Sequence, residues 1–195
     1  QKLWQYWYPY FTRRVRGAQI DFLNYAYESD PPMGISLKDF DEPNRGNIQL
    51  YHHVVSPVEL KGLKVLEVSC GHGGGASYLT RTFQPASYTG LDLNPQGIEY
   101  CRTKHVLPHL VFIQGDAMHL PFADASFDVV INVEASHCYP DFKKFVDEVA
   151  RVLKPNGDFV HADLRYPSGM SEWLGVLFNQ PLLKVRQMRL INPEV

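Results

Sequence analysis

From Lys64 onward the chain alternates short apolar runs with amphipathic stretches, and no other feature of the sequence restricts the fold as strongly. KVLEV (64–68) stops at glycines and reads as a buried strand, and Ala76 to Thr82 reads as a helix. SYTGLDL is strand-like. PQGIEYCRTKH is helical, with a proline near its start, where the missing N–H does no harm. LVFIQGD is a third strand. FDVVINV, apolar almost throughout, has the composition of a central parallel strand covered on both faces. DFKKFVDEVARVLK places Phe142, Phe145, Val146, Val149 and Leu153 along one helical face; PNG marks its stop, and DFVHADL is the fifth strand. Strand and helix in strict turn predict an α/β fold, a Rossmann-like, doubly wound, mainly parallel sheet.

The bulk properties remove several function classes. The 195 residues suffice for one domain with a sizeable core, and a net charge of -2 gives no electrostatic reason to expect nucleic acid. No run is apolar for long enough to span a bilayer, and no signal-peptide pattern opens the chain. Cys70, Cys101 and Cys138 are odd in number and lack CxxC spacing, which suits a reducing cytoplasm and predicts no metal site. Residues 1–60 differ from the rest, with the aromatic LWQYWYPYF followed by a Pro-, Gly- and Asp/Glu-rich stretch. They read as an N-terminal helical and loop cap over a domain at 61–195. Trp4, Tyr6, Trp7, Tyr8, Tyr10 and Phe11 suit three uses: peripheral lipid contact, packing on the core, or a homodimer surface.

Glycines Gly71, Gly73, Gly74 and Gly75 follow the first strand, where doubly wound sheets bind ligands. Asp92 ends the second strand about twenty residues later, in position to accept from a ribose diol. A dinucleotide and S-adenosylmethionine are the two candidates. Glu67, inside the end of the first strand, would repel a pyrophosphate and suits a ligand with an ammonium and a sulfonium. Asp116, after the third strand, is placed for an adenine amino group. S-adenosylmethionine is therefore the expected cofactor, with Leu93, Ala117 and Asn132 as further contacts.

The span Glu67–Gly73, Asp92, GDAMHLPF, FDVV and RVLKPNG resemble class I S-adenosylmethionine-dependent methyltransferases, with Ser69 in place of the first motif's first glycine. YWYPYFTR, NYAYESDPPM, LYHH, LEVSCGHGGGASYLTRT and NVEASHCYP extend the resemblance to the mycobacterial phthiotriolone/phenolphthiotriolone dimycocerosates methyltransferase family. It implies an O-methyltransferase acting on a hydroxyl of a cell-envelope lipid or carbohydrate. A fatty-acyl acceptor and a non-catalytic cofactor-binding subunit are the alternatives. The family fold has seven strands and only five are visible, so a longer parent with a C-terminal hairpin is expected.

A hydroxyl is a very weak acid, so a general base is expected, and His137 just after the fourth strand is the candidate. Glu134 to Tyr139 should line the mouth of the site. Glu134, Tyr139, Tyr51 and Asp163 are the acceptor-side candidates, and Asp163, ending the fifth strand, is also placed to orient His137. Ser69 offers a hydroxyl to the methionine moiety. His72 reads as an exposed loop side chain, His52 and His53 as a helix surface, and His161 as a satisfied core histidine.

Overall fold

Each apolar run becomes a strand in the computed structural model, which describes residues 20–195. β1 (Lys64–Val68), β2 (Ser87–Asp92), β3 (Leu110–Gln114), β4 (Phe127–Val133) and β5 (Leu153–Ala162) form one sheet of order β3-β2-β1-β4-β5. Every pairing is parallel. The helices are α1 (Arg45–Val55), α2 (Gly74–Phe83), α3 (Pro95–Lys104), α4 (Phe142–Val152) and α5 (Met170–Asn179). The chain steps outward from β1 to β3, then returns to β4 on the other side of β1. That reversal leaves a crevice above the carboxyl ends of β1 and β4.

Two apolar clusters cover the sheet. Val65 of β1 faces Leu79 of α2, Ile98 of α3 and Ile48, Leu50 and Val55 of α1. Leu66 and Val68 face the other way, toward Phe145, Val146 and Val149 of α4. Successive strand residues point to opposite faces, so a strand apolar at almost every position must be covered twice. Each such side chain contributes roughly 1.5–3 kcal/mol by leaving water. Helix starts are specified locally. Asn94 accepts from the Gln96 N–H at 3.1 Å with Pro95 beside it, and Asp141 accepts from the Lys144 N–H at 2.9 Å.

The fifth strand differs from expectation. α4 stops at Val152 and β5 begins at once with Leu153, so PNG lies inside the ladder rather than before it. Phe127 pairs with Leu153 but Val129 with Asp158, so residues 154–157 bulge opposite Asp128. A Cβ on Gly157 would lie 2.8 Å from the Asp128 carbonyl oxygen, which leaves room for glycine alone. Lys154 ties the bulge down through a 2.7 Å bond to Asp128. Residues 20–41 form no helix or strand, so α1 is the only α-helix of the expected cap among the described residues. The aromatic cluster Trp4–Phe11 lies outside the described residues. None of the described helices is long and apolar enough to cross a membrane.

Candidate active site

The loop after β1 is built as a turn over the crevice. Ser69, Gly71 and Gly73 all have positive φ, at 60°, 56° and 80°. For Ser69, the one residue of the three with a side chain, that conformation costs roughly 1–2 kcal/mol, and its hydroxyl is engaged. It lies 2.6 Å from the Tyr139 hydroxyl, which also accepts from Asn132 Nδ2 at 3.0 Å; the same amide donates to the Val68 carbonyl at 2.9 Å. Asn132 Oδ1 is buried without a partner among the described residues. One fully buried acceptor beside Ser69 and Tyr139 suits a donor such as the ammonium of a methionine moiety.

Asp92 faces the same loop. Its Oδ2 accepts from the Gly71 N–H at 3.0 Å and its Oδ1 from the Asn94 N–H at 2.8 Å, while burial raises its pKa. Each carboxylate oxygen keeps a lone pair for another donor. Leu93 beside it is 54% exposed, available as an apolar wall. Across the crevice Asp116 Oδ1 accepts from the Met118 N–H at 2.9 Å, with Ala117 buried next to it. Asp92, Asp116 and the Ser69–Tyr139–Asn132 group thus all stand at or just past the carboxyl ends of neighbouring strands of the sheet.

Glu67 corrects the sequence reading. It is fully buried, on the same face as Val65, and its two oxygens accept from the Tyr51 and Tyr88 hydroxyls, both at 2.8 Å. Burial pushes its carboxyl up to about 7 despite those two donors. The reason is strand periodicity: position 67 points into the helix layer, beneath the loop. Tyr51, expected near the acceptor, is committed to Glu67 and is itself buried. The glycines also serve a purpose beyond ligand approach. A Cβ on Gly75 would lie 2.2 Å from the Tyr51 ring, and one on Gly74 2.6 Å from the Asp21 carbonyl oxygen. These two glycines admit the protein's own side chain and backbone.

That Asp21 carbonyl belongs to a strap, residues 20–25, lying over the glycine loop. Asp21 O accepts from the Gly74 N–H at 3.0 Å, Ile20 O lies 2.7 Å from His72 Nδ1, and Asp21 Oδ1 accepts from the Tyr100 hydroxyl at 2.6 Å. At its far end the Tyr25 N–H donates to Glu134 at 2.7 Å. His72 is therefore buried under the strap rather than exposed. No sequence signal marked this irregular segment. His52 and His53 are half-buried, His52 bonded to the Tyr78 hydroxyl at 2.7 Å and His53 stacked on Tyr27.

The carboxyl ends of β4 and β5 bring the remaining candidates together. Ser136–Cys138 forms a single 3-10 turn after β4. From it the His137 N–H donates to Asp163 Oδ2 at 2.8 Å, and His137 Nδ1 lies 2.6 Å from Asp163 Oδ1. The Ser136 hydroxyl also donates to Asp163, whose side chain is wholly shielded from solvent. Asp163 pushes His137 up to about 10. Burial alone would raise the Asp163 carboxyl, but the His137 and Ser136 bonds hold it near 2. Protonated His137 and ionised Asp163 form an ion pair, with the His137 Nε2–H left for a ligand. Glu134, in a left-handed conformation at φ 47°, sits at the same mouth; burial raises its carboxyl. His161, lowered by burial to about 4, is neutral; its Nδ1 lies 3.2 Å from the Asn132 carbonyl oxygen, but its Nε2 has no partner among the described residues, so it is a half-satisfied core histidine. Arg165 escaped the sequence reading, although it stands only two residues beyond Asp163.

Comparisons with known proteins bear on the family and the fold. The methyltransferase domain family matches residues 66–161. The chain is 57% identical over its whole length to the phthiotriol/phenolphthiotriol dimycocerosates methyltransferase of Mycobacterium tuberculosis, covering 72% of that protein. It is 55% identical over 188 residues to the fatty-acid O-methyltransferase of Mycolicibacterium smegmatis, covering 96% of this chain and 68% of that one. Among solved structures, the geranyl diphosphate C-methyltransferase of Streptomyces coelicolor, in complex with Mg2+, geranyl diphosphate and S-adenosyl-L-homocysteine, superposes with a TM-score of 0.63. It does so at 16% identity, covering 83% of this chain and 65% of that one, a likeness of fold.

Proposed function

The chain belongs to the phthiotriol/phenolphthiotriol dimycocerosates methyltransferase family, a class I S-adenosylmethionine-dependent O-methyltransferase, and from that premise we propose that it methylates a hydroxyl of a mycobacterial lipid with His137 as general base. The observation that carries the proposal is the His137–Asp163 pair at the mouth formed by β4 and β5. Bound S-adenosylmethionine supplies the electrophilic methyl group. Asp92 holds the ribose, Asp116 the adenine amino group, and Gly71, Gly73, Leu93 and Ala117 shape the walls. Asn132 Oδ1 and the Ser69 hydroxyl receive the methionine end. Among the expected contacts, Glu67 acts from below through Tyr51 and Tyr88 and not by touching the cofactor.

Once Nε2 has lost its proton to solvent, the neutral His137 takes the proton of the attacking hydroxyl there. Asp163 keeps Nδ1 protonated and stabilises the imidazolium that results. A base placed this way contributes about 10²- to 10⁴-fold, on top of the larger gain from holding oxygen and methyl in line. Because Asp163 raises the proton affinity of His137, turnover on an alcohol should climb with pH into the alkaline range.

One observation favours a second reading, a fatty-acid acceptor. The 55%-identical relative is a fatty-acid O-methyltransferase, and a carboxylate needs no base because it is already ionised at neutral pH. A protonated His137 would then hold the anion, and turnover would fall as pH rises through its pKa. The test is methyl transfer from labelled S-adenosylmethionine to a long-chain lipid diol, a long-chain fatty acid and a sugar, from pH 6 to 10. Label on the diol that rises with pH and is lost in His137→Ala supports the hydroxyl reading. Label on the fatty acid with the opposite slope replaces it, and label on the sugar alone refutes both.

A further inference from the structure

Asp163 serves more than His137. Its Oδ1 accepts from the Leu164 N–H at 2.8 Å as well as facing His137 Nδ1, and its Oδ2 lies 3.2 Å from Arg165 Nη1. Arg165 Nη2 donates to the Ser136 hydroxyl oxygen at 2.8 Å, and that hydroxyl donates on to Asp163. The guanidinium therefore grips one carboxylate twice, once directly and once through Ser136. It is fixed from behind by two rings, with Phe142 at 5.3 Å and Trp173 at 5.5 Å, and its side chain is only 13% exposed. A cation held over two aromatic faces loses little mobility when it pairs.

We propose that Arg165 is a positioning residue that sets the proton affinity of His137 by sharing Asp163 with it. The inference rests on the reading above that His137 works at the site, but it holds for base and anion-holding roles alike. One buried negative charge lies between two cations. Whatever share of the Asp163 charge the guanidinium takes is withdrawn from the imidazolium, and the two positive charges oppose each other directly. Arg165 thus keeps His137 from holding its proton still more tightly. The other groups facing the pair leave this balance in place. Glu134 from the end of β4 carries a burial-raised carboxyl, Cys138 adjoins His137 on the same turn, and His161 on β5 is neutral. The arrangement also ties the pair to α4 and α5, since Phe142 opens one and Trp173 lies in the other.

The test compares the pH profile of kcat in the wild type, Arg165→Gln, Arg165→Lys and His137→Ala, alongside a direct NMR titration of the His137 ring. Arg165→Gln should move the His137-dependent limb upward by about one pH unit. Arg165→Lys, which keeps the charge but not the fork, should move it less. A limb that stays in place while Arg165→Gln lowers kcat equally at every pH shows that the arginine only supports structure, and overturns the proposal. Should Arg165→Gln fail to fold, Arg165→Met removes the charge while keeping an apolar side chain against Phe142 and Trp173. It should displace the limb in the same upward direction, and an unmoved limb there is equally fatal. If the wild-type limb survives in His137→Ala, the His137 reading fails by itself. If it disappears there but does not move with Arg165, only the present inference fails.

Discussion

Replacing Glu67 with glutamine should make this protein more stable above pH 7, although the residue sits inside the cofactor-binding motif. The carboxyl is fully buried, with its pKa pushed up to about 7 from an ordinary 4.5. A carboxyl whose folded pKa is raised favours the fold while protonated, and that contribution is lost as pH rises from 4.5 through 7. Between pH 5 and 8 the loss amounts to about 2–3 kcal/mol, or roughly 5–10 °C in Tm for a chain of this size. Glu67→Gln imitates the protonated form. It can still accept from one of the two tyrosines, and any lost bond is a pH-independent offset of about 1 kcal/mol. His52, His53, His105 and His161, all lowered by burial, titrate in both proteins and with the opposite slope, because their neutral forms suit the fold. The quantity to measure is therefore the difference in unfolding free energy between wild type and Glu67→Gln, by urea denaturation followed by circular dichroism at pH 5 and pH 8. The variant should gain on the wild type across that interval. A difference independent of pH would refute the reasoning, since it would mean that Glu67 titrates alike in the folded and unfolded chains.

Three further outcomes are expected. Asp92→Ala should weaken S-adenosylhomocysteine binding by about ten- to a hundredfold in calorimetry, in line with a charged hydrogen bond worth about 1.5–3 kcal/mol, with a smaller change in kcat. Ser69→Gly should raise Tm, because glycine relieves about 1 kcal/mol of left-handed strain, yet lower turnover by releasing Tyr139 from its 2.6 Å partner; a variant both stable and fully active would show that the serine hydroxyl has no role. Gly75→Ala should destabilise by about 1–3 kcal/mol or more, because its methyl group would lie 2.2 Å from the Tyr51 ring, and Gly75→Ala combined with Tyr51→Ala should recover part of the loss.

The sheet was legible because β1 and β4 are apolar on both faces and end in glycine or polar residues, which only a covered parallel strand requires. The pairing of His137 with Asp163 followed from the same logic: residues just past neighbouring parallel strands share one rim, whatever their separation in sequence. The facing of Glu67 was hidden, because a strand buried on both sides gives no apolar-polar alternation to say which way position 67 points. The start of β5 was missed because Pro155, Asn156 and Gly157 are turn residues wherever they stand, and only the ladder shows that they form a bulge. The strap at 20–25 belongs to no regular element, so its place over the glycine loop depended wholly on tertiary contacts.

The sheet order separates the two tasks of the site by their depth in the fold. Two of the turns proposed to receive the cofactor spring from β1 and β2, each flanked by a strand on both sides, and only Asp116 and Ala117 follow an edge strand, β3; Asp163 and Arg165 both follow β5, which has one strand neighbour among the described residues. Openings of a native protein begin where fewest contacts must be broken. Fraying of β5 would unhook Asp163 from His137 while β1 and β2 still hold their loops. On gentle warming this enzyme should lose its chemistry before its grip on the cofactor, and the temperature interval between those two losses would report how firmly the outer strand is fastened.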